Sequence, residues 1–175
     1  YSGDQTYFDV QVKVFANAVA YKSSDITIVS DAYSKRYELN TNYKQKSIDN
    51  VIAFIDDTDT LTGSLMLEDA SISKVIDIWN EMSTVSAEFE NNQINYKGKI
   101  NACVLALNAE NKPIYFERMI DFVFTHPYSG KAENIKCSAS MYVAGISYRI
   151  TNGGIDVKAD LKLSATVYSQ FSFKV

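Results

Sequence analysis

Ile155-Asp156-Val157-Lys158-Ala159-Asp160-Leu161-Lys162-Leu163-Ser164-Ala165-Thr166-Val167-Tyr168 is apolar at every odd position from Ile155 to Val167 and mostly polar between. Successive side chains on a strand point to opposite faces, so a period of two marks a half-buried strand with one dry and one wet face. The preceding run repeats the pattern, with Ile135, Cys137, Ala139, Met141 and Val143 on one face and Lys136, Ser138 and Ser140 on the other. Asn152-Gly153-Gly154 lies between the two runs, and Asn and Gly tolerate positive φ, so they read as an antiparallel hairpin.

Working outward, Val85, Ala87 and Phe89 alternate before Asn91-Asn92, and Ile94, Tyr96, Ile100, Ala102 and Val104 alternate after it, which reads as a second hairpin. Glu110-Asn111-Lys112-Pro113 supplies a further turn before an aromatic and β-branched run over 114–124. The only two prolines, Pro113 and Pro127, fall where strands should begin or end. Two stretches break the alternation. Ile72, Val75, Ile76 and Trp79 stand at helical spacing, with Asp69 or Ser71 as N-cap, and predict a helix over 71–82 that docks on a sheet. Ile48, Val51, Ile52 and Ile55 follow Ser47 at the same spacing and predict a shorter helix. The expected fold is mainly β, an antiparallel sandwich-like module with one or two short helices.

Residues 8–21 also alternate, with Phe8, Val10, Val12, Val14, Ala16, Ala18 and Ala20 on one face. One offset aligns Asp9 with Asp156, Val10 with Val157, Ala18 with Ala165 and Tyr21 with Tyr168. Two strands of similar composition can match by chance. As a true repeat, the segment is the last strand of a preceding module copy. The corresponding division is 1–47 as the tail of one module, 48–64 as a connecting segment and 65–175 as a complete module.

The 175 residues suffice for one domain with a genuine core, and a hydrophobic content of 46% with 22% charged residues excludes wholesale disorder. A net charge of −4 with dispersed lysines leaves no footprint for nucleic acid or an anionic membrane. Every apolar run is interrupted well short of the roughly 18 residues a spanning helix needs, so no membrane insertion is expected. The chain starts at Tyr1 without a signal-peptide pattern, as a processed product or part of something longer would.

Candidate chemistry is sparse. Cys103 and Cys137 have neither CxxC nor Cys/His ligand spacing, and read as small buried hydrophobes or as a strand-to-strand disulfide. His126, the only histidine, has Asp121 five residues before and Ser129 three after, but groups sharing one strand end and its turn do not converge as a triad must. Asp56-Asp57-Thr58-Asp59 clusters carboxylates without the glycine and glutamate of an EF-hand loop, and reads as a solvated linker. Glu88 and Glu90 share a polar strand face, where two acids are usually just wet. Gly153-Gly154 sits between strands, not before a helix as a phosphate loop does. Of the 12 tyrosines, Tyr142, Tyr148 and Tyr168 fall on polar strand faces, shielding the sheet or making interface contacts. No catalytic, cofactor-binding or metal-ligating residue is assigned.

Four segments together resemble a known module. Ile72-Ser73-Lys74-Val75-Ile76-Asp77-Ile78, Asn95-Tyr96-Lys97-Gly98-Lys99-Ile100 with Val104, Tyr115-Phe116-Glu117-Arg118-Met119-Ile120-Asp121-Phe122, and Ile155-Asp156-Val157-Lys158-Ala159-Asp160-Leu161 resemble one SPOCS domain, repeated in SipL-like proteins of endospore-forming clostridia. Ser30-Asp31-Ala32-Tyr33-Ser34-Lys35-Arg36-Tyr37-Glu38-Leu39 is similar to the segment that follows one such module and leads into the next. The resemblance brings no catalytic residue and implies a role in spore morphogenesis. The chain ends at Val175 without the LysM domain of SipL, so the contact with the coat-basement ATPase associated with that domain is not implied. The expectation is a non-enzymatic structural protein of the endospore coat or exosporium, made in the mother-cell cytoplasm and needing no cofactor. It would self-assemble as a homo-oligomer, lattice or filament and bind other coat proteins, with no nucleic acid. The alternative is a glycan- or peptidoglycan-binding β-sandwich module.

Overall fold

A computed structural model describes residues 9–29, 31–67, 71–130 and 134–175, and it separates into two compact units, residues 1–42 with Val175 and Tyr43–Lys174. The second unit holds six strands: β1 Gln45–Met66, β2 Ile72–Glu90, β3 Gln93–Asn108, β4 Pro113–Pro127, β5 Ile135–Thr151 and β6 Gly154–Lys174. They form two antiparallel three-stranded sheets, ordered β1-β6-β5 and β2-β3-β4.

The run that fixed the fold is β6, the centre of its sheet, and its odd residues Ile155, Val157, Ala159, Leu161, Leu163, Ala165 and Val167 are all buried. Ile94, Tyr96, Ile100, Ala102, Val104 and Ala106 do the same for β3, the other central strand. Both buried clusters draw on both sheets. Leu61, Tyr96, Ile100, Phe122 and Leu163 belong to one, and Leu65, Val75, Val104, Ile155 and Val157 to the other. β2 runs beside β5, while β1 and β4 meet over a shorter stretch.

The turns fall where the sequence places them. Thr151 pairs with Gly154 across a two-residue turn in which Gly153 takes φ +92°, a conformation that glycine adopts without strain. Asn91 and Asn92 both have positive φ, 53° and 59°, as the tightest hairpins require, and join β2 to β3. Asn111, at φ 60°, serves the turn between β3 and β4.

Both expected helices are strands. Residues 71–82 fall almost wholly in β2, and the reason lies in its bulges. Its pairing with β3 slips between Ile72 and Lys74 and again between Val75 and Asp77, each slip inserting one unpaired residue. Inward residues are therefore three apart, Ile72, Val75 and Ile78, and a twice-bulged strand imitates a helical stripe. Ile76, which the helix reading places on the stripe, is 51% exposed. The second expected helix lies in β1, where a slip between Val51 and Ala53 breaks the alternation in the same way. The capping candidate Asp69 is outside the described residues. Residues 48–64, expected as a connector, lie inside β1.

In the first unit, residues 9–29 and 31–42 carry neither helix nor strand, so the strand expected over 8–21 is absent from its described part; Phe8 lies outside the described residues. Alternation prepares a chain for a sheet, but a strand exists only where a second backbone pairs with it. Ser34 Oγ accepts bonds from the amides of Arg36 and Tyr37, both at 3.2 Å, and shapes a local bend.

Candidate functional site

Three places in the second unit bring polar side chains together. The first is the seam between β1 and β4. Arg118 Nη1 donates a 2.7 Å bond to the Ser64 carbonyl, and further along His126 Nδ1 lies 2.8 Å from Asp57 Oδ2. Ile120 packs so closely over Gly63 that a Cβ there would come within 2.8 Å of it. Tyr96 points into the same interior. It is fully buried, its hydroxyl has no hydrogen-bond partner among the described residues, and burial, aided by the charge of Asp57, pushes its phenol up to about 12. His126 thus meets neither of the partners considered from sequence; Asp121 pairs instead with Lys99 at 3.1 Å.

The second place is the outer face of the β1-β6-β5 sheet. Ser64 donates to Asp156, Thr60 to Asp160 and Ser164 to Asp56, at 2.7, 3.1 and 2.7 Å, each pair directly opposed in the β1–β6 register. The Ser64 bond, with Arg149, holds the Asp156 carboxyl below its usual range. A shallow hollow of about 550 Å³ opens here beside Tyr148, Arg149 and Asp156. The acidic run is accordingly part of a strand and not a linker. Asp56 faces this outer surface and Asp57 the interior seam, so alternation divides the two carboxylates between opposite faces.

The third place is the outer face of the β2-β3-β4 sheet, around Cys103. Trp79, Cys103 and Glu117 are cross-strand neighbours, and the β2 irregularity between Asn80 and Ser83 brings Glu81 to the same spot. Cys103 is fully enclosed although it faces outward; Trp79 stacks on Tyr115 beside it, ring centroids 6.0 Å apart. Its Sγ lies 3.6 Å from Glu81 Oε2 and 3.7 Å from Glu117 Oε2. Glu117 accepts further bonds from Tyr115 Oη at 2.7 Å and Asn101 Nδ2 at 3.1 Å, which hold its carboxyl below the usual range. Burial pushes the Cys103 thiol up, and bonds to Cys103 and Glu117 push the Tyr115 phenol up.

Cys103 and Cys137 are both free thiols, on β3 of one sheet and β5 of the other. Cys137 packs against the core, and burial raises its thiol too. Glu88 pairs with Lys97 at 2.8 Å, whose bond and charge hold it below its usual range. Tyr142 and Tyr148 are exposed and Tyr168 is half-buried. Sequence spacing missed the Cys103 cluster because its members come from three strands; only the facing register of β2, β3 and β4 reveals it.

In comparisons with family models, curated proteins and solved structures, none matches the chain.

Proposed function

We propose that this chain is a non-enzymatic structural protein of the bacterial endospore envelope, in coat or exosporium, built from sandwich-like SPOCS modules. It works by pairing strand edges with copies of itself or with coat partners. The observation that carries the reading is the N-terminal arm: Val10, Val12, Val14, Phe15 and Val19 are 69, 76, 82, 79 and 75% exposed in a segment patterned as a strand but without a ladder. Such a segment gains both backbone hydrogen bonds and a dry face by adding to the edge of another sheet. No helix among the described residues is long and apolar enough to cross a membrane.

Sedimentation over a range of concentrations tests the assembly. The whole chain should self-associate, and Val12→Lys with Val14→Lys should leave monomer. A wild-type chain that stays monomeric at high concentration, together with a normal spore surface after deletion, overturns the reading.

A second reading, a glycan-binding module, rests on the hollow beside Tyr148 and on the exposed ring of Tyr142, since exposed aromatics among polar groups suit sugar rings. Retention on cortex or cell-wall glycan, lost in Tyr148→Ala, would favour it over assembly.

A further inference from the structure

We propose that Cys103 Sγ, with one carboxylate oxygen each from Glu81 and Glu117, forms a binding site for a thiophilic divalent cation of the zinc class. The three donor atoms lie within 4.8 Å of one another. A tetrahedral centre with Zn–S near 2.3 Å and Zn–O near 2.1 Å sets its sulfur and oxygen ligands roughly 3.6 Å apart. The observed separations are 3.6 and 3.7 Å, so each oxygen already stands at the distance from the sulfur that such an ion imposes.

Charge points the same way. Neither Glu81 nor Glu117 has an ion-pair partner among the described residues. Two carboxylates therefore converge on an enclosed sulfur without a cation of the protein's own. A single thiol proton bonds one acceptor at a time, whereas a dication attracts all three donors together.

The surroundings supply the outer support that metal ligands need. Tyr115 Oη and Asn101 Nδ2 both donate to Glu117 Oε2, the oxygen nearest the sulfur; they fix the orientation of the carboxylate, one of the two bonds opens when the ion takes that oxygen's lone pair, and the stacked Trp79 and Tyr115 rings lie beside the sulfur. The mixed donor set selects the ion. Calcium and magnesium take oxygen ligands and have little affinity for sulfur, whereas zinc accepts thiolate and carboxylate together. On binding, the Cys103 S–H bond breaks, the sulfur keeps the electron pair and donates it to the metal, and the proton passes to solvent. Three protein ligands leave the fourth vertex to water.

The experiment is a Co²⁺ titration of the whole 175-residue chain followed by Zn²⁺ competition. The expected result is a thiolate-to-cobalt charge-transfer band in the near ultraviolet, abolished by zinc, with release of about one proton per ion in weakly buffered solution near neutral pH. Cys103→Ser should remove the band and Cys137→Ser should keep it. Glu81→Gln and Glu117→Gln lie on the surface, so they test the site without disturbing the core, and each should weaken cobalt affinity by at least about tenfold. No charge-transfer band on the folded chain, a band that survives Cys103→Ser, or a band that depends on Cys137 would overturn the proposal. Its outcome is independent of the assembly reading, which sedimentation without added metal decides separately.

Discussion

His126 on β4 reaches across to Asp57 on β1, Nδ1 to Oδ2 at 2.8 Å, and so ties the outer strand of one sheet to the outer strand of the other. A carboxylate only accepts, so Nδ1 carries the hydrogen. Both side chains are about one-third exposed, which places the pair between a surface ion pair and a buried one. Asp57→Asn and His126→Ala should each lower stability by about 1 kcal/mol. In a double-mutant cycle by urea unfolding the two losses should be less than additive; strict additivity would mean that the contact contributes nothing.

Tyr96 makes the fold sensitive to alkali. Its phenol ionises near 10.0 when unfolded and is pushed up to about 12 in the folded chain, chiefly by burial. Below pH 10 both states hold the proton and stability is unaffected. Between 10 and 12 the unfolded chain releases the proton while the folded chain keeps it, so stability falls as pH rises through that window. Tyr96→Phe should lessen this loss, and at neutral pH it should raise stability by about 1 kcal/mol by removing a buried hydroxyl that has no partner among the described residues. Urea unfolding at pH 7 and pH 11 checks both statements.

Gly98, in the middle of β3, is required by a close approach. A Cβ added there would lie 2.2 Å from the Thr84 carbonyl oxygen and 2.4 Å from the Phe122 ring, and neither a paired backbone nor a packed ring has room to yield. Gly98→Ala should cost about 2–3 kcal/mol. Gly145, whose nearest such neighbour is the Asp160 carboxylate at 3.9 Å, is the control and should accept alanine within about 0.5 kcal/mol. Equal melting shifts for the two variants would contradict the packing described.

The parts of the fold legible in the sequence were those in which a strand keeps perfect phase. β6 does so from Ile155 to Val167, and β3 pairs with β4 without a slip from Gln93 to Leu107. The turns were legible because Asn91, Asn92 and Gly153 are residue types that accept positive φ. Two edge strands, β1 and β2, were harder to read. Each bulge moves an inward face by one residue, and in β2 two slips within six residues produced the spacing of a helix from local geometry that a periodicity reading cannot separate. The site was illegible for a different reason: Glu81, Cys103 and Glu117 are distant in sequence, and only strand pairing makes them neighbours.

Phase in β2 is itself testable, because strand and helix assign opposite roles to two adjacent residues. With bulges after Ile72 and Val75, the inward residues are Ile72, Val75 and Ile78, while Ile76 is turned outward. A helix would bury Ile76 beside Val75 and free Ile78. Val75 is 6% exposed and packs with Val104 and Ile155, so Val75→Ala removes buried methyl groups and should cost about 2 kcal/mol. Ile78→Ala should cost a similar amount, since Ile78 packs against the same cluster. Ile76→Thr keeps the β-branch that suits a strand and touches no core, so it should stay within about 0.5 kcal/mol of the parent. Thermal unfolding of the three variants separates the alternatives: a large loss at Ile76 with tolerance at Ile78 would restore the helix, and the reverse order fixes the bulged strand.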